Sequence, residues 1–373
     1  MVPYVKQLVR VLSKKLGWNR ARMKLMARLM RALPMQATTN LAQLAVVMKP
    51  EVQTDSTYRR LQRFFAAFAF GYEALGQFLL DLVPADPPYV AIVDRTEWHF
   101  GQTAVNVLMI GVADEKGGRA GGIAYPIAWT VLDHGGGSSA DEHAQVLEQF
   151  LQVVDPDYIR AFVADREFTG SHFLETLKER EVPFVIRIKA GRRVGPPCGT
   201  WTLPVKMFAR TCKPQQSRIL EGALTLGGAE AVRARVGMKR LDDGSFLILA
   251  ARDIDTDRMF DLYRQRWEIE TLFAALKSRG FDLEATHLTE PDRIRKLLGV
   301  VALTYSWTRI IGLDRRGRED GPRICPHGYP EKSLFRYGLD RLRELLSNAY
   351  RMRDELQRCV QALAAPDLFL SCS

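Results

Sequence analysis

The spacing of apolar residues changes along the chain. In residues 1–82 apolar positions recur at intervals of three and four, which predicts a series of short helices. Beyond Pro84, β-rich runs predict strands at 89–94, 104–114, 123–133, 159–165 and 182–190, with helical patterns at 139–154 and about 170–180. Three strands followed by alternating helices and strands predict an α/β fold in which helices cover a mixed sheet.

The pattern of the sheet is interrupted between residues 191 and 250. Short apolar runs alternate there with Gly-rich and polar turns, without a helical period. A segment of about 60 residues is far longer than an ordinary connection, so it predicts an inserted β-rich subdomain. We therefore predict five segments: a helical region at 1–82, the first part of the core at 83–190, the inserted subdomain at 191–250, the second part of the core at 251–313, and a helical C-terminal region at 314–373.

One stretch of the second core part, YRQRWEIETLFAALK, carries polar residues at intervals that match a helix. On a continuous α-helix Tyr263, Arg266, Glu270 and Lys277 share an arc roughly 60° wide. An adjoining arc is apolar and is expected to face the core. The polar stripe would then form one wall of a cleft. An Arg–Glu pair four residues apart is also common on solvated helix faces, so periodicity alone leaves both interpretations open.

Charge indicates a polyanionic partner. The net charge is +10 and the pI near 9.4, and ten basic residues precede the first acidic one, Glu51. A second basic run extends from Lys189 to Arg240. No apolar run reaches the roughly 18 residues that span a bilayer, and the five scattered cysteines indicate reduced thiols. We expect a cytoplasmic protein, with nucleic acid rather than membrane as its partner.

The segment STYRRLQRFFAAF is the part of the N-terminal region best suited to DNA. We predict a helix capped by Ser56, with Leu61 and the phenylalanines inward. Three arginines then lie on its outer face, namely Arg59, Arg60 and Arg63. A solvated helix face without a partner is the alternative.

Three carboxylates are candidate ligands of a metal. Asp94 and Asp165 each end an apolar strand, where a charged side chain can leave the core and enter a cleft. Glu270 would join them from the polar stripe. Mg²⁺ or Mn²⁺ prefers oxygen ligands, and two such ions suit phosphodiester chemistry. Either aspartate alone could instead form a turn or cap a helix.

Several other acids occur near these residues in the sequence. We interpret Glu97, Asp114 and Glu167 as solvated side chains near them, and Ser139 with Glu142 as a capping box that begins a helix. No histidine has a spacing that indicates zinc or a nucleophile–base pair.

The polar stripe resembles a known signature. Tyr263-x2-Arg266-x3-Glu270-x6-Lys277 is similar to the YREK motif of a large family of bacterial insertion-sequence transposases in the DDE superfamily, which has an RNase H-like fold. VDRTEWHF resembles the first aspartate strand of that family and VADREF the second. The inserted β segment also falls where the family carries one. The resemblance covers roughly residues 85–310.

The resemblance implies cut-and-paste transposition. A homodimer would bind the terminal inverted repeats of an insertion sequence and then target DNA, and Asp94, Asp165 and Glu270 would hold Mg²⁺ or Mn²⁺ for hydrolysis and strand transfer. DNA hairpins are frequent intermediates in the family. Two alternatives remain: a repeat-binding repressor without activity, and a metal-dependent nuclease of the same fold that acts on other DNA.

The remaining signature residues would contact DNA. The resemblance implies that Tyr263, Arg266 and Lys277 hold the backbone near the scissile phosphate, and that the Trp267 indole stacks on a displaced base. The alternative for Trp267 is packing against the inserted segment, near Trp201.

Overall fold

The computed structural model describes residues 3–48, 53–114, 122–196, 200–210, 212–220, 224–226, 232–319, 321–326, 328 and 330–366. The N-terminal region is helical, as predicted: α1 (Pro3–Leu16), α2 (Arg20–Gln36), α3 (Leu41–Met48), α4 (Thr54–Ala67) and α5 (Tyr72–Leu80). Helix α4 begins two residues before Ser56, so Ser56 is not its cap. Leu61, Phe64 and Phe65 are fully buried, and they fix α4 to the rest of the protein by its apolar face.

The core sheet confirms the predicted mixed α/β architecture. Its strands are β1 (Tyr89–Phe100), β2 (Thr103–Val112), β3 (Tyr125–Leu132), β4 (Ile159–Ala164) and β5 (Phe184–Arg187), in the order β3-β2-β1-β4-β5. The first three are antiparallel, whereas β1, β4 and β5 are parallel. This is the RNase H-like arrangement.

Helices α6 (Ala140–Leu151) and α7 (Ser171–Glu179) lie between the later strands. The predicted capping box is present, because Ser139 Oγ accepts the Glu142 N–H and the Glu142 carboxylate accepts the Ser139 N–H. An apolar face on α6, including Val146, Leu147 and Phe150, is fully buried. The parallel strands thus have the helical cover that such strands require.

The insertion is β-rich, as predicted, and it extends the core sheet. Its elements are β6 (Arg193–Gly195), β7 (Leu203–Pro204), α8 (Lys206–Ala209), β8 (Ser217–Ile219), β9 (Leu224–Leu226), β10 (Val232–Arg240) and β11 (Phe246–Arg252). Strand β11 is antiparallel to β5, with Leu249 opposite Arg187 and Arg252 opposite Phe184. The inserted segment is therefore tied by backbone hydrogen bonds to the parallel strands.

The chain continues in helices: α9 (Met259–Arg264), α10 (Trp267–Leu276), α11 (Pro291–Arg318), α12 (Leu334–Ser347) and α13 (Arg353–Ala364). Helix α11 is buried over most of its length and packs against β3, α2 and α12, while α1 packs against α13. The N- and C-terminal helices therefore share one core with the sheet. Within the described residues, no helix combines the length and the apolar character needed to cross a membrane.

Candidate active site

The two aspartates lie side by side on neighbouring strands. The parallel pairing of β1 and β4 ends with Val93 opposite Ala164, and Asp94 and Asp165 are the next residues of the two strands. Adjacent strands are about 4.8 Å apart. The prediction that Asp94 ends its strand is wrong, because pairing with β2 continues β1 to Phe100. It is the parallel pairing that ends there, and this opens the cleft.

The signature stretch is not one continuous helix. Helix α9 ends at Arg264 and α10 begins at Trp267, so Arg266 lies in the connection, and α10 ends at Leu276. Lys277 leaves the helix with φ −85° and ψ −116°. The predicted arc is therefore wrong in its geometry. Tyr263, Arg266 and Glu270 nevertheless reach the same cleft, where Tyr263 contacts Asp165 and Arg266 contacts Asp94 and Glu270.

Two residues of the signature contact the aspartates. The Tyr263 hydroxyl donates to Asp165 Oδ1 at 3.1 Å, and Arg266 Nη1 donates to Asp94 Oδ2 at 3.3 Å. The other terminal nitrogen of Arg266 lies 2.6 Å from Glu270 Oε1. The Arg266 guanidinium thus joins Asp94 to Glu270, and the Tyr263 phenol donates a hydrogen bond to Asp165. All three predicted carboxylates are brought to this cleft.

Lys277, which follows α10, lies against a later part of β1, beyond Asp94. Its Nζ donates to the Glu97 backbone oxygen at 3.2 Å and pairs with Glu284 at 2.8 Å. The ammonium also lies 5.5 Å from the centre of the Trp98 ring. Lys277 therefore ties the end of α10 to the part of β1 that follows Asp94, and it makes no described contact with the three carboxylates.

Burial sets the electrostatics of the cleft. It raises the pKa of Asp94 to about 6, against the lowering effects of the Arg95 N–H and Arg266, while Glu167 and Glu270 raise it further. Burial also raises the pKa of the Tyr263 phenol, and the nearby Asp165 adds to this. The phenol therefore stays protonated at neutral pH and remains a hydrogen-bond donor.

The donor chemistry of these residues suits a hard divalent cation, since every ligand would be a carboxylate oxygen. Arg266 already places one positive charge between Asp94 and Glu270, which shows that the pair accommodates a cation. In the part of the chain that the structure describes, no three acidic, His or Cys side chains are close enough together to hold a metal ion. Because Arg266 bridges Asp94 and Glu270, this arginine and a metal ion would compete for the same two carboxylates.

Sequence reasoning missed several residues of the cleft. Arg187, the last residue of β5, lies 3.6 Å from Asp165 Oδ1. Arg95 pairs with Glu97 at 3.1 Å and with Glu167 at 3.6 Å. The position of Arg187, a cation directly after an apolar run, is the same signal that revealed Asp165. It could have been used to find this arginine.

The interpretation of Asp114 as a solvated acid is wrong. Its side chain is fully buried and forms an ion pair with the equally buried Arg309 of α11. Its backbone N–H donates to Glu268 Oε2 at 2.8 Å, and the Ala124 N–H donates to the Glu268 backbone oxygen at 3.2 Å. A side chain at Gly122 would collide with the Glu268 carboxylate. Helix α10, which carries Glu270, is thus fastened to both ends of the β2–β3 connection.

Trp267 lies beside this cleft and is 62% exposed. Its ring centre lies 5.1 Å from the Arg266 guanidinium. Trp201, the partner considered for it from the sequence, contacts the ring of Phe208 instead. The tryptophan therefore presents most of its indole to the surroundings, directly after the arginine that holds Asp94.

The predicted DNA-binding arginines lie far along the chain from the carboxylates. All three are exposed on α4. Arg60 and Arg63 line a groove of about 1030 Å³ between α2 and α4, whose other basic residues are Arg22, Lys24 and Arg28. Arg59 is not among the residues that line it. The structure thus distinguishes one arginine of the predicted face from the other two.

Comparison with known families identifies the chain. The family described as Transposase DDE domain matches residues 86–307, well over half of the protein, so the chain belongs to this family. No curated protein sequence matches the chain. Among solved structures, Endonuclease V from Bacillus subtilis is 11% identical over 63% of this chain and 92% of its own, but the TM-score of 0.26 is too low to support any argument.

Proposed function

We propose that this transposase DDE-domain protein catalyses cut-and-paste transposition of an insertion sequence. It would bind the terminal inverted repeats as a homodimer, cleave the DNA at their ends and join the ends to a target. The observation that supports the proposal is that Asp94 and Asp165 follow neighbouring parallel strands, and that the signature residues Tyr263 and Arg266 contact Asp165, Asp94 and Glu270.

The three carboxylates would hold Mg²⁺ or Mn²⁺, most simply two ions. When bound, the ions supply activation of the attacking oxygen and stabilisation of the leaving oxygen. In hydrolysis a water oxygen attacks the scissile phosphorus, and the 3′ oxygen leaves and takes up a proton. In strand transfer that 3′ hydroxyl loses its proton and attacks a target phosphorus, a new phosphodiester forms, and the target's own 3′ oxygen leaves and takes up a proton.

The cations and the phenol would position the DNA. Arg266 and Tyr263 are buried beside the acids and already oriented by them, so a phosphate that enters the cleft would meet donors in place. Arg187 adds a third donor next to Asp165. Lys277 would contact the DNA backbone from its place beside the later part of β1, where it is held by the Glu97 backbone oxygen.

Trp267 would stack on a base at the cleaved end. The exposed indole suits this role, because base stacking is worth roughly 1 to 3 kcal/mol. We expect Trp267→Ala to leave folding and first-strand nicking near normal and to slow hairpin formation or release of the end. Early melting of the variant, or an equal loss of nicking, would instead indicate a structural side chain.

The groove between α2 and α4 would recognise the repeats. We expect Arg60→Gln/Arg63→Gln to lose preference for repeat DNA in competition binding, and Arg59→Gln, outside the groove, to lose less. Unchanged preference in the double variant would place recognition on another part of the protein. Substitutions are preferable to deletion here, because α1 and α2 pack against α13 and α11.

The central experiment is incubation of the purified protein with Mg²⁺ and DNA that carries the repeats flanking its own gene. Cutting at the repeat ends, with joining to a target, is the expected result. Binding without cutting would indicate a repressor. Cutting without preference for repeat ends and without joining would indicate a nuclease of the same fold.

A further inference from the structure

A second basic groove lies on the sheet, away from the carboxylates. It has a volume of about 510 Å³ and is formed where β10 and β11 pass the end of α7. The small residues Ala234 and Ala251 are buried beneath it. Its charged lining consists of four cations and one acid, namely Lys178, Arg233, Arg235, Arg252 and Asp253.

This groove is at the opposite end of the strands from the candidate active site. Arg252 pairs with Phe184, the first residue of β5, whereas Arg187 at the last residue of β5 contacts Asp165. Three residues of a strand span about 10 Å. A ligand in the groove would therefore lie behind the catalytic cleft, and the two sites are separate.

The cations of the groove have few partners within the protein. Arg233 and Arg235 are exposed, and neither they nor Lys178 form an ion pair with any described residue. Arg252 Nε pairs with Asp253 at 3.0 Å, but Arg252 Nη1 is buried and has no hydrogen-bond partner among the described residues. A buried guanidinium nitrogen without an acceptor is costly. The groove therefore offers an anionic ligand the three exposed cations Lys178, Arg233 and Arg235.

We propose that this groove binds the sugar–phosphate backbone of a DNA duplex without regard to sequence. Arg233 and Arg235 are two residues apart on one face of β10, about 7 Å along the strand. Adjacent phosphates of one duplex strand are also roughly 7 Å apart, because each nucleotide rises about 3.4 Å and rotates about the helix axis. The arginines can thus meet phosphates of the same strand, and Lys178 and Arg252 add charge from the two sides.

A DNA backbone fits this groove better than an acidic protein surface or a membrane does. The floor offers only alanines, so it has no large apolar side chains to anchor a protein hot spot or to enter a bilayer. The identification of the ligand as DNA rests on the proposed function. A duplex held here would keep the DNA fixed on the protein while the other face carries out cleavage.

The test is the salt dependence of binding to a duplex without repeat sequence, measured by fluorescence anisotropy on the full chain. Each phosphate contact contributes about 0.9 to the slope of log K against log salt. We expect Arg233→Gln/Arg235→Gln to reduce the magnitude of that slope by about 2. The charge-matched variant Arg351→Gln/Arg353→Gln, on exposed C-terminal residues, should change it much less. An unchanged slope in the groove variant, or an equal change in both, would overturn the proposal.

A variant that is expected to strengthen duplex binding, rather than weaken it, provides a second test. Asp253→Asn removes the acid of the groove and should strengthen duplex binding, and asparagine tolerates the positive φ of 56° at this position. Asp257→Asn removes the same charge from an exposed residue outside the groove and should have the smaller effect. These measurements need no cleavage. Absence of cutting at repeats would refute the proposed function and leave the groove result standing.

Discussion

Two arginine–aspartate pairs join the helices to the sheet, and they differ in their access to solvent. The Arg266 and Asp94 side chains are 11% and 16% exposed, and the Glu270 side chain that shares Arg266 is 38% exposed. In contrast, the Arg309 and Asp114 side chains are both 0% exposed. The first pair opens onto the cleft, where a ligand can reach it, and in the proposed function that ligand is a metal ion or a phosphate. The second is sealed in the core and can only hold the fold.

The surroundings of the pairs lead to the same distinction. Arg309 lies 5.5 Å from the ring centre of buried Tyr125, and the neighbouring Tyr305 hydroxyl donates to the Ala124 backbone oxygen at 3.1 Å. Arg266 instead lies beside the exposed ring of Trp267. Similar ion pairs therefore suit different roles: burial on all sides suits a structural role, and one open side suits the proposed chemistry.

The largest expected effect comes from the carboxylates of the open site. Asp94→Asn, Asp165→Asn and Glu270→Gln should each reduce cleavage of repeat-end DNA by about a thousandfold or more, because transition-state stabilisation of several kcal/mol is lost. Binding of repeat DNA should change little, since affinity rests on cations. Gel assays of cleavage and anisotropy of binding measure the two quantities. A variant that still cuts would exclude its residue from the triad.

The buried pair should respond in stability. Arg309→Met leaves the Asp114 carboxylate buried without its partner, and we expect the free energy of unfolding to fall by about 3–5 kcal/mol. Denaturant unfolding of the variant measures this loss. Arg266→Gln is the comparison, and its loss should be clearly smaller because the cleft still solvates Asp94 and Glu270. Equal losses in the two variants would contradict the distinction between the pairs.

The next expected effect concerns metal affinity. Arg266→Gln removes the positive charge that stands between Asp94 and Glu270, so Mn²⁺ should bind at least about tenfold more tightly, a change of about 1.4 kcal/mol. Titration calorimetry with Mn²⁺ measures this without any cleavage. Arg264→Gln is the matched control, because Arg264 is 77% exposed and pairs only with Asp261 among the described residues. Weaker Mn²⁺ binding by Arg266→Gln would show that the arginine supports the metal rather than competing with it.

The open site was more predictable from sequence than the buried pair. Acids that directly follow apolar runs and a polar stripe carry local patterns, so Asp94, Asp165 and Glu270 could be chosen from the sequence. The break between α9 and α10 could not be found in this way, because the apolar and polar periods continue through it. Nor could the partner of Asp114, since Arg309 lies 195 residues later in a helix whose burial is set by packing. Long-range contacts of this kind leave no local signal.

The smallest expected effect lies between the two pairs, at Glu268. On a helix, residues 268 and 270 point about 160° apart, so Glu268 faces the Asp114 backbone while Glu270 faces Arg266. Glu268→Ala removes the acceptor of the Asp114 N–H, and we expect the free energy of unfolding to fall by about 1 kcal/mol. Glu268→Gln keeps an acceptor oxygen and should retain most of that stability. Cleavage should fall modestly in the alanine variant, since α10 would be held less firmly, and should remain far above that of Glu270→Gln.

An equal loss of stability in Glu268→Ala and Glu268→Gln would mean that the charge of Glu268 matters rather than its hydrogen bond. If Glu268→Gln instead stops cleavage as completely as Glu270→Gln, the carboxylate takes part in the chemistry and the assignment of the two faces of α10 is wrong.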